Sequence, residues 1–309
     1  MSFLFFTGAG VSVSAGIPDF RSGKGIFKMK LSKTQKSTDL FDASQVLQSH
    51  DTYLDWLSGM ATLYECIRQV EPTYFHRFLV RLSKAGKLQR VYSQNIDELE
   101  YKAGLPTGKV ILLHGTLHHV HCMVCGHSEP LQPHHSSFQQ GQCVACTRCK
   151  SLGTERQKKR TGLREGQRVG TLRPSVLLYN EGNAKDITKQ MRQDRRRKPT
   201  IVIIGTSLKV TGLKKAIKDI SHKASQVWLV NPDKDLVIPS ELKPVITKRW
   251  FMTADEFAVH MDRTVLKQRT IDGFLKTKVP SDRVHHPRKR DSTTNENETR
   301  EISSKRLFV

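Results

Sequence analysis

The chain has 309 residues, and its 51 Lys and Arg against 29 Asp and Glu give a formal net charge of +22. That length can bury a substantial core, either as one large domain with an inserted lobe or as two domains. No stretch approaches the roughly 18 consecutive apolar residues of a membrane span, and Met1–Phe6 lacks the basic start of a secretory signal. The charge favours a polyanionic neighbourhood such as chromatin or RNA, and a solvated surface with a basic tail explains it about as well.

The first predicted element is a short apolar strand, Phe3–Phe6, of the kind buried in a parallel sheet. It runs into Gly8-Ala9-Gly10-Val11-Ser12, where the glycines would let backbone N–H groups approach a pyrophosphate. Ser12–Ala15 would then open a helix whose amino end favours anions. Val13 stands where the dehydrogenase fingerprint has its third glycine, so the loop predicts a different kind of nucleotide site.

Two amphipathic helices follow, separated by Pro72. Asp51–Gln69 has apolar residues at nearly helical spacing, and Cys66 within it is expected to pack as a small apolar residue. Thr73–Ala85 resumes the pattern. The apolar faces consist of Leu54, Leu57, Leu63 and Ile67 in the first helix and of Phe75, Phe78, Leu79 and Leu82 in the second.

Further along, several apolar strands end at small polar or chemically useful residues. The segments in question are Ser93-Gln94-Asn95-Ile96-Asp97 after Val91-Tyr92, His114-Gly115 after Val110–Leu113, Arg173–Glu181, Gly205-Thr206-Ser207 after Ile201–Ile204, and Asn231-Pro232 after Val227–Val230. Ligand sites at the carboxyl ends of a parallel sheet have this pattern. The pattern therefore predicts a cleft in an α/β protein.

Five of the six cysteines fall between positions 122 and 149. Cys122-x-x-Cys125 is followed by Cys143, Cys146 and Cys149, so the second C-x-x-C pair is either Cys143 with Cys146 or Cys146 with Cys149. Paired knuckles of this spacing predict a tetrahedral zinc ion. A disulfide framework would need an oxidising compartment, to which the sequence offers no route. Four thiolates leave no open position, so the metal is expected to be structural.

At these segments, over about residues 3 to 260 and in family order, the chain resembles the sirtuins, the NAD-dependent protein-lysine deacylases. The expected fold is α/β, a doubly wound parallel Rossmann-like sheet with a smaller inserted lobe. The sheet domain would use residues 1–28, 75–115 and 171–262. The lobe would combine a helical insert, 29–74, with the four-cysteine zinc segment, 116–170. Together 1–262 form the expected catalytic domain, and 263–309 is expected to be a basic, largely disordered tail.

The resemblance also assigns roles. His114 would be the general base and Asn95 a second catalytic residue, with NAD as cosubstrate, and His118, His119 and His121 would stand outside the family pattern. One structural zinc ion is implied, and the spacing of sirtuin zinc lobes favours Cys122, Cys125, Cys146 and Cys149, leaving Cys143 spare. The residues expected to contact NAD are Gly8, Ala9, Gly10, Ser12, Asp19, Phe20, Arg21, Gln94, Asn95, Asp97, Gly205, Thr206, Ser207 and Asn231.

Within the family, residues 37–43, 72–76, 172–174 and 179–181 most resemble the fungal nuclear branch, whose members act on histone H3. This implies an acetylated histone peptide as partner, a place on chromatin in the nucleus, and a role in silencing or genome maintenance. Leu177–Glu181 resembles the strand that pairs with the peptide, with Asn180 in place of the usual glycine.

The basic segments 147–173 and 195–198 would allow contact with a nucleic-acid backbone, and Pro287–Arg290 resembles a nuclear import signal. Two other functions remain open at this point. A mono-ADP-ribosyltransferase would use the same NAD site with another acceptor. A non-catalytic, zinc-containing chromatin scaffold would explain the charge and the cysteines, but would leave His114, Asn95 and Asp97 in sirtuin register as coincidence.

Overall fold

A computed structural model describes residues 1–17, 41–158, 169–179, 181 and 187–267. The expected NAD contacts Asp19, Phe20 and Arg21 lie outside the described residues, as do Asn180 and the basic run Pro287–Arg290. No helix in the described part of the chain is both long enough and apolar enough to cross a bilayer.

The larger lobe is built on a six-stranded sheet in which every neighbouring pair is parallel. In spatial order the strands are β10, β9, β8, β1, β2 and β3, so the chain starts in the middle and winds outward in both directions. This confirms the doubly wound Rossmann-like fold. The strands are β1 (Phe3–Thr7), β2 (Leu88–Ser93), β3 (Val110–Leu112), β8 (Thr200–Ile204), β9 (Gln226–Val230) and β10 (Lys248–Trp250).

Helices cover both faces of this sheet, which is why β1 is apolar at successive positions. Phe3 and Phe5 pack into one core with α3 (Tyr74–Lys84) and α9 (Ala254–Met261). Leu4 and Phe6 point the other way, into a core with α7 (Thr188–Arg195) and α8 (Thr211–Ser221). A short helix, α4 (Leu99–Lys102), follows β2. The carboxyl ends of β1 and β8 lie side by side at the point where the winding reverses, the usual ligand position in such sheets.

The smaller lobe is an antiparallel sheet with strand order β5-β4-β7-β6 and a helical layer. One apolar core joins helices and sheet and includes Trp56, Met60, Leu117 and Val120. The strands are β4 (Gly115–Cys122), β5 (Ser128–Pro130), β6 (Val144–Ala145) and β7 (Thr171–Val176), and the helices are α1 (Ala43–Val46), α2 (His50–Arg68), α5 (His135–Gln139) and α6 (Thr147–Lys158).

Two details differ from the sequence analysis. The sequence analysis assigned residues from 171 onward to the Rossmann-like part, but β7 pairs with β4 and β6 in the small sheet. Pro174, which has no N–H to donate, lies beyond the two residues of β7 that pair with β6, so no ladder bond to β6 is lost there. Cys66 was expected to be packed and is exposed, because it lies on the solvent side of α2 while Leu63 and Ile67 face the core.

Candidate active site and metal centre

Two loops meet at the carboxyl ends of β1 and β8 through their glycines. Gly8 N–H donates to Ile204 O at 3.1 Å, and Gly10 N–H donates to Gly205 O at 2.8 Å. A Cβ on Gly10 would lie 2.7 Å from the Gly205 Cα, and one on Gly8 would lie 2.7 Å from the Gly205 O. Gly205 itself has φ 65°, in the left-handed region that favours glycine. The glycines therefore bring two backbones into contact.

This packing corrects the sequence interpretation of the loop. The N–H groups of Gly8 and Gly10 were expected to face a pyrophosphate, and they are instead used between the loops. The expected helix from Ser12 is also replaced by two 3-10 turns, Ala9–Val11 and Val13–Ala15, and the second ends at Gly16 with φ 90°. A single turn that ends at a left-handed glycine does not continue as an α-helix.

Ser12, Asn95 and Asp97 form a buried polar cluster beside these loops. Ser12 Oγ donates to Asp97 Oδ2 at 2.7 Å, and Asn95 Nδ2 donates to Ser12 Oγ at 3.2 Å and to Gly8 O at 3.3 Å. Asn95 Oδ1 is buried and has no hydrogen-bond partner among the described residues. Because an unpaired buried acceptor is costly, this oxygen is suited to accept from an amide or hydroxyl of a ligand.

A further carboxyl group, which the sequence analysis did not select, lies next to this cluster. Glu100 is 1% exposed, and neither of its oxygens makes a hydrogen bond of standard geometry within the described chain. Burial, together with repulsion from Asp97, raises the pKa of Glu100 to about 7, although the hydroxyls of Ser93 and Thr7 oppose the shift. Burial also raises the pKa of Asp97, against the hydrogen bond from Ser12. No pattern in the sequence marks this carboxyl group, because charged residues are normally exposed.

The residues that follow the two polar segments have strained backbones. Glu98, after Asp97, has φ 55°, and Leu208, after Ser207, has φ 57°. Neither residue is favoured in the left-handed region, and such conformations concentrate at functional sites.

His114 follows β3 and has a defined tautomer. Its Nδ1 lies 2.9 Å from Gln94 O, and because a carbonyl oxygen can only accept, Nδ1 carries the proton and Nε2 presents the lone pair. Burial lowers the pKa of His114, with the Gln94 hydrogen bond opposing, so the ring is neutral near pH 7. Gln94 is itself held by Thr7 O, which accepts from both its backbone N–H and its Nε2.

Neighbouring histidines are engaged elsewhere. His118 Nε2 lies 3.0 Å from Asp97 O, and His119 is 46% exposed with its Nδ1 3.8 Å from Glu98. His121 Nδ1 lies 3.1 Å from Ser175 Oγ. Of these four rings, His114 is the one that follows a strand of the parallel sheet, and its tautomer presents Nε2 as the lone pair there.

The remaining expected NAD contacts lie directly after the neighbouring strands β8 and β9. Asn231 Nδ2 donates to Thr206 O at 3.2 Å, and Asn231 Oδ1 accepts from Asp233 N at 2.9 Å. Thr206 Oγ1 accepts from Leu208 N at 3.3 Å. Since Gly205 touches the first loop, the structure brings Gly8–Ser12, Gly205–Ser207 and Asn231 to one edge of the sheet.

The segment after β7 runs past His114. Leu177 N–H donates to His114 O at 2.9 Å, and Tyr179 pairs with residues 41 and 43 through bonds of 2.7 and 3.0 Å. Arg173, which is 1% exposed, stabilises this segment by donating two hydrogen bonds to Glu181, at 2.6 and 3.1 Å. Sequence reasoning missed this ion pair, because nothing in the residue types indicates that the arginine is buried.

The four favoured cysteines form a candidate metal centre. The sulfurs of Cys122, Cys125, Cys146 and Cys149 all lie within 4.8 Å of one another, and Cys143 is exposed outside the group. Cys122 Sγ lies 3.6 Å from Cys149 Sγ, and Cys125 Sγ lies 3.7 Å from Cys146 Sγ. A tetrahedron with Zn–S bonds of about 2.3 Å has edges of about 3.8 Å, so the thiols fit one zinc ion.

The surrounding backbone supports the same centre. Val124 N–H and Cys125 N–H each donate to Cys122 Sγ at 3.4 Å, as is expected of a metal-binding knuckle. A Cβ on Gly170 would lie 2.5 Å from Cys122 Sγ, so that glycine is required for the backbone to pass the sulfur. The six cysteines, all within the described residues, are free thiols.

Comparisons with known proteins agree with this architecture. The NAD-dependent histone deacetylase HST4 of Saccharomyces cerevisiae is 34% identical over 235 residues, covering 70% of this chain and 62% of that protein. The NAD-dependent protein deacetylase hst4 of Schizosaccharomyces pombe is 34% identical over 274 residues, covering 78% of this chain and 64% of that protein. The chain thus spans less than two thirds of the length of these relatives.

Solved structures show the same fold. A Sir2 homologue mutant in complex with 2'-O-acetyl ADP ribose has a TM-score of 0.65 at 22% identity, covering 86% of this chain and 92% of that chain. Sir2 with a p53 peptide and NAD+ has a TM-score of 0.60 at 20% identity, covering 85% and 92%. The sequence model of the Sir2 family matches residues 8–212, about two thirds of the chain. The chain therefore belongs to the Sir2 family.

Proposed function

We propose that this protein is an NAD-dependent protein-lysine deacetylase that acts on acetylated histone peptides. The observation that carries the proposal is the His114 ring, whose Nδ1–H is fixed on Gln94 O so that its Nε2 lone pair lies at the edge where Asn95, Asp97 and the glycine loops converge. The named relatives are histone or protein deacetylases, which supports the same chemistry.

The residues present fit NAD, because Asn95 offers a buried unpaired acceptor and the two glycine loops leave backbone instead of side chains at the edge. When bound, NAD would supply an electrophilic ribose carbon, a nicotinamide leaving group and an acceptor for the acetyl group. His114 would take the proton of a ribose hydroxyl through Nε2. Asn95 Oδ1 would accept from the nicotinamide amide, and Ser12 would hold Asp97 in position for the ribose.

The peptide would bind beside Leu177–Tyr179 by β-augmentation, in which main-chain hydrogen bonds supply affinity. The bonds of Leu177 to His114 and of Tyr179 to residue 41 set this segment next to the proposed base. Asp19, Phe20 and Arg21 would shield the reactive carbon from water. The four-cysteine centre would hold zinc as a structural ion, with 1–262 as the catalytic domain.

Finer assignments follow from the relatives and the charge. We propose histone H3 as the substrate protein, chromatin as the working environment and the nucleus as the location, with Pro287–Arg290 as an import signal. The relatives' names include histones, which supports a nuclear role.

The test is to incubate the protein with NAD and an acetylated histone H3 peptide and to follow nicotinamide and deacetylated peptide by mass. The proposal expects both products in equal amounts. Nicotinamide release without loss of acetyl-lysine would indicate a mono-ADP-ribosyltransferase, and release of neither product would indicate a non-catalytic scaffold.

The base is tested by His114→Ala. Turnover should fall by about 10²-fold or more while NAD binding is retained. His119→Ala is the matched control and should keep near-normal turnover, since that ring is 46% exposed. Equal turnover of the two variants would remove His114 from the mechanism.

A further inference from the structure

One outer layer of the Rossmann-like domain is strongly basic. Helices α7 and α8 pack together on one side of the sheet, and α7, α8 and the turns after them expose eight Lys and Arg side chains. The exposed acidic side chain in the same segments is Asp219, since Asp194 is buried against Arg90. We call these eight the basic face: Lys189, Arg192, Arg196, Arg197, Lys198, Lys215, Lys218 and Lys223.

The part of the basic face at the helix carboxyl ends, Arg196–Lys198, Lys218 and Lys223, lies at the opposite edge of the sheet from the candidate active site. Helix α7 leads into β8 and α8 leads into β9, so both helices end near the amino ends of those strands. Arg195 Nη1 donates to Asp219 O at 3.3 Å, and Ser225 N–H donates to Pro199 O at 2.9 Å, which joins the two helix ends. The loops of Gly8 and Gly205 are at the carboxyl ends of the strands.

Helix electrostatics explain part of this face. Cations near a helix carboxyl end are favourable, which accounts for Arg192 and Lys218. Lys189 lies in the first turn of α7, where a cation is unfavourable. Lys198 has φ 48°, a left-handed conformation in which glycine would be less strained. The charge of Lys189 and the left-handed backbone of Lys198 therefore go against local stability.

The density of the charges points to one class of partner. The eight cations lie on α7, α8 and the turns after them, and α8, with 11 residues, is about 16 Å long, so the face presents eight charges on a patch of about this length. Duplex DNA carries one phosphate charge per roughly 1.7 Å of axis. An extended acidic peptide presents a side chain on one face only about every 6.6 Å. We propose that the basic face is a binding surface for the phosphate backbone of duplex DNA.

The test measures the salt dependence of binding of the full chain to a short labelled duplex by fluorescence anisotropy. The triple variant Arg197→Gln, Lys215→Gln, Lys218→Gln should reduce the slope of log affinity against log salt by about three. The matched control, Lys84→Gln, Lys102→Gln, Lys234→Gln, removes three exposed cations elsewhere and should leave the slope nearly unchanged. Equal slopes for the two triples would overturn the proposal.

A single substitution separates binding from folding. Lys198→Gly should raise the melting temperature by about 2 °C by relieving the left-handed lysine, and should reduce the salt slope by about one. A variant that gains stability with an unchanged slope would show that Lys198 does not contact phosphate. Poly-glutamate that competes as well as duplex DNA at equal charge would overturn the choice of partner. None of these measurements depends on deacetylation, so the proposed function is tested separately.

Discussion

The ion pair between buried Arg173 and partly buried Glu181 offers the sharpest test of how the peptide strand is held. Arg173 in β7 donates to Glu181 at 2.6 and 3.1 Å and to Val176 O at 3.1 Å, and its guanidinium lies 5.3 Å from the centre of the Trp56 ring. Glu181 also accepts from Leu178 N–H at 3.1 Å. Burial by itself would raise the pKa of Glu181, but the hydrogen bonds and charge of Arg173 outweigh it and lower that pKa.

Breaking one side of this pair should be costly. Glu181→Gln leaves the guanidinium charge of Arg173 uncompensated in a site that is 1% exposed. Two charge-assisted hydrogen bonds of about 1.5–3 kcal/mol each are weakened, and breaking buried pairs costs about 3–5 kcal/mol. We expect the free energy of unfolding to fall by about 3 kcal/mol, measured by urea denaturation at pH 7.

Removing both charges separates stability from positioning. The double variant Arg173→Met, Glu181→Leu should recover most of the lost stability, because no buried charge remains unpaired. Residues 176–179 would still lack the hydrogen bonds from Arg173 to Val176 O and from Leu178 N–H to Glu181, so KM for the acetylated peptide should stay about 10-fold raised, which corresponds to about 1.4 kcal/mol, with kcat largely retained.

A second buried pair provides the control. Arg90 Nε lies 2.6 Å from Asp194 Oδ2 in the Rossmann-like lobe, and Asp194→Asn should reduce stability without changing the peptide KM. A wild-type KM in the double variant would refute the positioning role. Additive losses in the double variant, with no recovery, would refute the energetic argument.

Two further outcomes are expected. Cys149→Ser should lose zinc, measured as metal per chain, and should destabilise the small lobe. Cys143→Ser should keep the metal, and the opposite ranking of the two variants would show that Cys143 is the ligand. Burial, with a smaller effect from Arg77, lowers the pKa of His76 to about 3, so the folded ring stays neutral while the unfolded chain takes up a proton below about pH 6.5. The free energy of unfolding should therefore decrease as the pH is lowered from 7 to 5, by about 2 kcal/mol from this residue alone. An equal decrease in His76→Gln would contradict the assignment.

Much of the larger lobe could be predicted from local patterns. The run Phe3–Phe6 is apolar at every position, and only a strand covered on both faces explains that in so short a segment. Pro72 separates the two helical patterns as expected, and α3 begins directly after Thr73, whose side chain caps it. Polar residues directly after such strands then had to lie at one edge, because parallel strands share their carboxyl ends.

What could not be predicted depends on contacts between distant parts of the chain. The contacts of Gly8 and Gly10 with the Gly205 loop join positions nearly 200 residues apart. A phosphate-binding loop has the same residue types, so the sequence alone does not distinguish the two arrangements. Strand β7 could join either of the two sheets, and in the structure it pairs with β4. The apolar residues of the strand do not determine which sheet it joins. Burial of Glu100 and Arg173 could not be expected either, because charged residues are normally exposed.

The distribution of charge connects the two proposed surfaces. The carboxyl edge of the sheet holds Asp97, Glu98 and Glu100, while the amino edge of β8 and β9 is flanked by the basic face. A polyanion such as duplex DNA is therefore attracted to the edge away from the candidate active site. A substrate tail next to DNA could reach His114 while the backbone is held elsewhere. DNA should then raise the local concentration of such a tail without competing for its cleft, so it should lower the apparent KM for a DNA-bound substrate and leave a free peptide unaffected.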